Sequence, residues 1–321
     1  MSAEVLAEAS DQLVVGAVLL YLAAMIGFAL ELAYGKARTD APAKGRVKQP
    51  ATVGAPQDEA PDQGVASDLG VAPAEPEPPA WAGTAGKVGM ALAWVGWGAN
   101  AAAIVTRGLA VERWPWGNMY EFVVAICLAA VTAFLATQLR ANVRFLGPFV
   151  MVVAVLGLGA AVKFLYTAAG PVVPALNSYW IAIHVSAAIL ASGLFIVAGA
   201  AGVLYLIRGD GLSRLPTRAD LERVAHRAIV VAFPVWTFAV IAGALWADKA
   251  WGRYWGWDPK EVWSFITWVA YAAYLHARVT AGWRGKAATI VQLVAFGCLM
   301  FNLVGVNIFL GGMHSYADVG N

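Results

Sequence analysis

Residues 251–276 read WGRYWGWDPKEVWSFITWVAYAAYLH, a segment in which many aromatic side chains stand between two apolar runs. Belts of tryptophan and tyrosine are common at membrane surfaces, but this segment holds more of these rings than a belt requires. Asp258, Pro259 and Glu261 form a capping pattern that predicts a helix from Pro259 through His276. Capping explains the two carboxylates, whereas the concentration of rings indicates a flat ligand or a packed cap.

The composition is that of a polytopic membrane protein. Of the 321 residues, 60% are hydrophobic and 13% are charged, and the apolar runs are each long enough to cross a bilayer. The predicted fold is all-α, with about eight transmembrane helices and an outward-facing tryptophan-rich loop. The predicted spans cover residues 13–34, 84–106, 119–139, 145–166, 179–207, 228–247, 260–281 and 287–309.

Cysteine spacing and charge pattern exclude several kinds of site. Cys127 and Cys298 lie far apart in apolar runs, which argues against a disulfide framework, a thiol redox pair or a zinc site. The chain has no basic cluster with interleaved aromatic residues, so no nucleic-acid partner is expected.

The distribution of basic residues predicts the orientation. Sixteen Lys and Arg fall in segments on one side of the predicted spans and six on the other. By the positive-inside rule the richer side is cytoplasmic, so both termini and the tryptophan-rich loop face outward from the cell membrane. Glu4, Glu8 and Asp11 precede the first apolar run, where a signal peptide would carry positive charge, so this run is predicted to be an anchor.

The chain divides into three predicted regions. Residues 1–35 form an N-terminal transmembrane helix, and residues 84–321 form the main membrane domain. Residues 36–83 between them are rich in Pro, Ala and acidic side chains, which cannot bury enough apolar surface to order themselves. This region is predicted to be a disordered cytoplasmic linker.

The histidines are the candidate metal ligands, because an ionisable side chain in or beside a span is a functional hypothesis by default. His184, just inside its span, and His314, just beyond the last span, could ligate a heme iron from its two faces. Considered alone, His184 would be explained by a hydrogen bond to a neighbouring helix, but His314 and the tryptophans favour heme. His276 falls roughly 25 Å inward along its helix, which makes it a ligand of a second, cytoplasmic-side heme or an interhelical donor. His226, in a predicted cytoplasmic loop, is expected to be solvated.

The remaining requirements of a heme are also met near these residues. Tryptophan rings can pack along the porphyrin edge. Basic side chains can pair with its propionates; the candidates are Arg113, Lys249, Arg253 and Lys260.

The chain resembles the tryptophan-rich (WWD) heme-handling proteins of cytochrome c assembly, and among them the CcsA/ResC type of system II. The resemblance covers roughly residues 84–321 and rests on an ordered set of motifs. These are NMYEF at residues 118–122, SYWIAIHV at 178–185, the run from Trp251 to His276, and GGMHSY at 311–316.

The resemblance implies a membrane subunit that binds heme b and works with a ResB/Ccs1-type membrane partner. Such a subunit presents heme on the extracytoplasmic side and promotes its thioether attachment to apocytochrome c at a CxxCH motif, as part of a heme lyase. It further implies that His184 and His314 are the outer axial ligands and that His276 is an intramembrane ligand. The implied heme-facing loop residues are Trp251, Trp255, Trp257 and Asp258.

Other functions remain open from the residues alone. A module that only exports or delivers heme would carry the same ligands without lyase activity. A membrane cytochrome b would hold its histidines in the bundle core, whereas the outer pair here borders an exposed loop. A transporter of another solute is disfavoured, because no pair of broken helices lies at mid-membrane depth.

Overall fold

The computed structural model describes residues 1–36, 38–39, 77–176, 178–209 and 212–314, and within these ranges the fold is an α-helical bundle. Eight long helices follow one another: α1 Ala3–Tyr34, α2 Ala80–Val111, α3 Met119–Gln138, α4 Gly147–Phe164, α5 Tyr179–Ile207, α6 Arg218–Trp251, α7 Pro259–Val279 and α8 Gly285–Met300. A π-turn, Phe301–Gly305, and one further turn, α9 Val306–Phe309, continue α8. The predicted all-α fold class with about eight helices is confirmed.

Local capping chemistry sets where the helices begin. The side chains of Asn118, Ser178 and Thr217 accept hydrogen bonds from the first free backbone N–H groups of α3, α5 and α6. At α7 the carboxylate of Asp258 and that of Glu261 form a reciprocal capping box. The helix start predicted at Pro259 is therefore confirmed.

Seven of the helical segments are long and apolar enough to cross a membrane, among the residues that the structure describes. The segment outside this set is α7, which has 21 residues but carries Lys260, Glu261, His276 and Arg278 along its length. The hydropathy criterion that identifies the other spans therefore does not identify α7, which combines these polar residues with many aromatic side chains.

Helices α1 and α2 pack closely through small residues. A Cβ atom added at Gly27 would lie 2.8 Å from the carbonyl oxygen of Ala85, and one added at Gly89 would lie 3.0 Å from that of Ala24. Such contacts let two backbones approach where lipid gives no hydrophobic driving force. The first helix is thus packed against the bundle.

A desolvated charge cluster joins the start of α1, the end of α2 and the start of α3. The Glu121 carboxylate, 1% exposed, lies 3.1 Å from Nε of Arg107 and 2.9 Å from a terminal nitrogen of Arg113. Arg107 also reaches Asp11 and the carbonyl of Thr167 after α4. We call this end of the bundle the site end, because the cavity described below opens there.

The opposite end of the bundle holds a second polar cluster. Glu222 at the start of α6 accepts hydrogen bonds from Arg278 at the end of α7 and from the backbone N–H of Gly285 at the start of α8. The two clusters show that the helix ends alternate between the site end and the opposite end, as the span prediction requires.

Two helices begin well before the membrane spans predicted from the sequence. Helix α1 begins ten residues before the predicted span, and α6 begins at Arg218 instead of residue 228. Charged first turns extend both helices beyond the apolar run that hydropathy detects. His226 consequently lies in α6, half-buried, with Nδ1 3.4 Å from the hydroxyl of Tyr274, and not in a solvated loop.

The predicted linker is only partly within the described residues. Arg38–Thr39 pairs antiparallel with Leu212–Ser213 in a two-residue ladder, and α2 already begins at Ala80. Residues 40–76, most of the predicted linker, lie outside the described ranges.

Candidate functional site

A cavity of about 1170 Å³, including its open mouth, lies among α3, α5, α6, α7 and the π-turn at the site end. Its walls are largely apolar and aromatic, as is usual for sites that bind organic ligands. The apolar walls include Trp116, Phe122, Ile181, Val185, Trp236, Val240, Trp246 and Trp255. The polar side chains include His184, His314, Lys260, Glu261 and Asn302.

His184 is held by the backbone of a neighbouring helix. Its Nδ1 lies 2.8 Å from the carbonyl oxygen of Ala239 on α6. Because a carbonyl can only accept, Nδ1 carries the hydrogen, and in the neutral ring Nε2 keeps its lone pair. Gly243, one turn further along α6, makes room for the ring: a Cβ added there would lie 2.7 Å from two of its atoms.

His314 is held by a carboxylate. Its Nδ1 lies 2.7 Å from Oδ2 of Asp258, and the backbone N–H of Met313 donates to Oδ1 of the same carboxylate at 2.5 Å. Nδ1 is again the donor, so Nε2 remains available as a ligand. A ring nitrogen tied to a carbonyl or a carboxylate is the usual outer-sphere arrangement of metal-binding histidines.

Asp258 is ionised in this arrangement. Burial would by itself raise the pKa of this carboxyl. The hydrogen bonds from His314 and from the backbone N–H groups of Met313 and Lys260 outweigh that effect and hold its pKa below the ordinary value. Asp258 therefore has two roles, as N-cap of α7 and as the anchor of His314.

Trp246 contacts both histidines, a role that its position in the sequence does not indicate. Its ring is parallel to that of His184 within 3°, at a centroid distance of 6.2 Å, and lies 5.7 Å from that of His314. It is 1% exposed. In the sequence, Trp246 stands five residues before Trp251 on the same helix, and an ordinary aromatic belt at a membrane surface would explain this spacing equally well.

The three tryptophans predicted to face the ligand lie in different environments. Trp251 packs against His314 at a centroid distance of 5.0 Å, and Trp255 lines the cavity. Trp257 is 69% exposed, is not among the residues lining the cavity, and has a positive φ of 58°. The prediction that Trp257 contacts the ligand is therefore not favoured by its position.

His276 lies near the opposite end of α7, where its side chain is exposed and its Nδ1 is 3.4 Å from the hydroxyl of Thr280. It shares no cavity with His184 and His314. The structure thus brings the two predicted outer ligands together and places the third apart, as their positions along the helices indicated.

The four basic residues predicted to pair with the heme propionates also lie in different environments. Arg113 is bound to Glu121 and to the carbonyl of Gly170, and Lys249 lies 3.5 Å from Asp248. Of the four, only Lys260 lines the cavity.

The fold and the site define a multi-pass helical membrane protein with a cavity that two oriented imidazoles share. The chain belongs to the cytochrome c assembly protein family, whose model matches residues 116–314. This finding places the chain in cytochrome c biogenesis, and its similarity to individual CcsA proteins confirms the resemblance to the CcsA type.

Individual relatives agree with this assignment. The chain is 32% identical over 294 residues to cytochrome c biogenesis protein CcsA of Gloeobacter violaceus, covering 69% of this chain and 86% of that protein. It is 39% identical over 153 residues to CcsA of Chlamydomonas reinhardtii, covering 46% of this chain and 43% of that one. Among solved structures it is similar to cytochrome c heme lyase CcmF, with a TM-score of 0.60 and 15% identity. That match covers 99% of this chain and 49% of the other, and at this identity it shows a shared fold alone.

Proposed function

We propose that this protein binds heme b at the site end, with Nε2 of His184 and Nε2 of His314 as axial ligands of the iron. The observation that supports the proposal is that both imidazole rings are held through Nδ1. Each Nδ1 donates its hydrogen, to the Ala239 carbonyl in one case and to Asp258 in the other. Each Nε2 is then left for a metal in a cavity that both residues line.

The cavity suits a porphyrin. Ligand sites of this kind are mostly apolar with a few placed polar groups, and here Trp116, Trp236, Trp246 and Trp255 supply flat apolar surface. The placed polar groups include Lys260 and Asn302, which are joined by a hydrogen bond. The open mouth would leave one edge of the ligand accessible to a second protein.

We further propose that the bound heme is the substrate of a covalent attachment to apocytochrome c. In that reaction each cysteine thiol of a CxxCH motif adds across one vinyl group. A C–S bond forms at one vinyl carbon and the thiol hydrogen goes to the other, with no net oxidation. The contribution of this chain is to fix the orientation of the heme and its iron ligation.

The unequal anchoring of the two histidines supports presentation to a client. His184 lies within α5 and is bound to the backbone of α6, whereas His314 lies five residues beyond the last helical turn and depends on Asp258. The client histidine of CxxCH would replace His314. A ResB/Ccs1-type partner would complete the assembly, with the site end outside the cell membrane and His276 contributing to a separate site with that partner.

The visible spectrum of the purified protein tests the first proposal. We expect a six-coordinate, low-spin heme spectrum that is lost or altered in His184→Ala and His314→Ala. His276→Ala should leave this spectrum intact, and His226→Ala serves as the control for removing a histidine outside the cavity. A purified protein that binds no heme would refute the proposal. Spectra of His184→Ala and His314→Ala that both equal the wild-type spectrum would refute it as well.

Reconstitution separates attachment from delivery. We expect the chain and its ResB/Ccs1-type partner together to convert a CxxCH apocytochrome and heme into the thioether product. If heme is transferred to the client without covalent attachment until a further protein is added, the protein is a delivery module.

A further inference from the structure

We propose that Lys260 recognises a carboxylate of the ligand and thereby selects a porphyrin that carries propionates. This inference rests on the proposed heme site and adds to it a residue that determines orientation and specificity. Lys260 is the only lysine or arginine among the described residues that line the cavity.

The position of the Lys260 ammonium group is fixed by the π-turn. Its Nζ donates to the carbonyl oxygen of Asn302 at 2.7 Å. In the π-turn the backbone N–H of Val306 bonds to Phe301, five residues back, and the following carbonyls of Asn302 and Leu303 accept from side chains. Such turns within helices are frequent at functional sites.

The ammonium group retains capacity for a ligand. A lysine has three donors, and Asn302 accounts for one of them. A cation in an apolar cavity is costly unless it is paired, and no carboxylate lies within 4.0 Å of Nζ among the described ion pairs. An anionic group of the ligand would supply the missing partner.

The neighbouring carboxylates are already bound to other donors. Asp258 accepts from His314 and from the backbone N–H groups of Met313 and Lys260. Glu261 accepts from the backbone N–H groups of Gly256 and Asp258. Both carboxylates are therefore neutralised in part by these hydrogen-bond donors, and Lys260 remains the group that can attract an anion into the cavity.

Asn302 provides a second polar group in the cavity lining. The residue is 5% exposed, and its Oδ1 has no hydrogen-bond partner among the described residues. Turning the amide by half a turn would place Nδ2 there, as a donor to the second oxygen of a carboxylate. Lys260 and Asn302 together form a site for one carboxylate at the edge of the porphyrin.

The experiment compares heme with heme dimethyl ester, which has the same iron and ring but no free carboxylates. Each is titrated into the detergent-solubilised full chain and followed by absorbance. We expect the wild type to bind heme roughly 10-fold or more tightly than the ester, as for the loss of a charge-assisted hydrogen bond. Lys260→Gln, which can still donate to the Asn302 carbonyl, should bind both equally, and Lys260→Arg should keep the preference.

Lys249→Gln is the matched control, because it removes the same charge from a 64% exposed side chain at the site end, outside the cavity. It should behave as the wild type. A wild type that binds both compounds equally, or a Lys260→Gln variant that keeps the preference, would overturn the inference while leaving the heme site standing. A wild type that binds neither compound would overturn the proposed function itself. Should Lys260→Gln fail to fold, the wild-type ratio and Lys260→Met decide by the same criteria.

Discussion

Nδ1 of His314 lies 2.7 Å from the carboxylate of Asp258, the residue that also caps the first turn of α7. One side chain therefore determines both where a helix begins and how a candidate metal ligand is oriented. The carboxylate is 2% exposed and the imidazole 22%. The anchor is thus shielded from water while the ring it holds can be reached from outside.

Replacing Asp258 by Asn tests this anchor. The amide can still cap α7 but carries no charge, so His314 loses its orienting carboxylate. Loss of such a partner typically weakens metal binding by roughly 10- to 100-fold. We expect a drop of that size in heme affinity by absorbance titration, with exogenous imidazole restoring a six-coordinate spectrum. An unchanged affinity would show that His314 needs no anchor.

The same pair predicts a dependence of stability on pH. Because the pKa of Asp258 is lowered in the folded protein, its ionised form stabilises the fold above the pKa of the unfolded chain, and this contribution is lost as the pH falls through the folded value. We expect the difference in Tm between the wild type and Asp258→Asn to be largest near neutral pH and to shrink as the pH falls through the pKa of Asp258 in the folded protein. A constant difference would contradict this prediction.

Gly243→Ala tests the space beside His184. The new methyl group would lie 2.7 Å from two ring atoms, so the ring must turn away from the carbonyl of Ala239. We expect a loss of low-spin heme comparable to that in His184→Ala, measured by visible spectroscopy. Gly98→Ala is the control, since a Cβ there meets nothing within 4 Å and Ala favours the helix.

Two neighbouring tryptophans should respond differently to truncation. Trp255 lines the cavity, whereas Trp257 is 69% exposed. We expect Trp255→Ala to weaken heme binding several-fold through lost apolar contact, and Trp257→Ala to leave it within twofold. Equal losses in the two titrations would place Trp257 in the site after all, as the family resemblance implies.

Glu121→Gln tests the charge cluster beneath the loop of residues 113–118. Removing the charge leaves Arg107, 3% exposed, with Asp11 as its remaining anionic partner. Breaking a buried pair in this way costs about 3–5 kcal/mol, so we expect a clearly lower Tm. Exposed Glu112→Gln is the control, and a Tm equal to that of the control would show the cluster to be energetically neutral.

Local chemistry explains which features could be predicted from the sequence. The start of α7 follows from three residues that act within one turn of helix. His184 stands at the outer start of its predicted span, and His314 stands just beyond the outer end of the last one. The sequence therefore predicted that both lie on the same side of the membrane. Such features need no knowledge of which helix packs against which.

Other features depend on packing and could not be predicted. The role of Trp246 requires knowing that α5, α6 and His314 meet around it. The first turns of α6 are charged, so the apolar run that hydropathy detects begins only at residue 228, whereas the helix begins at Arg218. The amino-acid composition of residues 301–305 does not indicate a π-turn, because the turn depends on the side chains that bind its carbonyl groups.

That π-turn makes the Lys260 subsite sensitive to a change of length. A π-turn contains one residue more than the α-turn it replaces, so deleting a single residue between 301 and 305 would restore regular helical winding and leave the residues after it on nearly the same face. The carbonyl of Asn302 would then return to a backbone hydrogen bond, and Lys260 would lose its acceptor. Every side chain of the cavity would still be encoded, so the length of this segment matters as much as its composition.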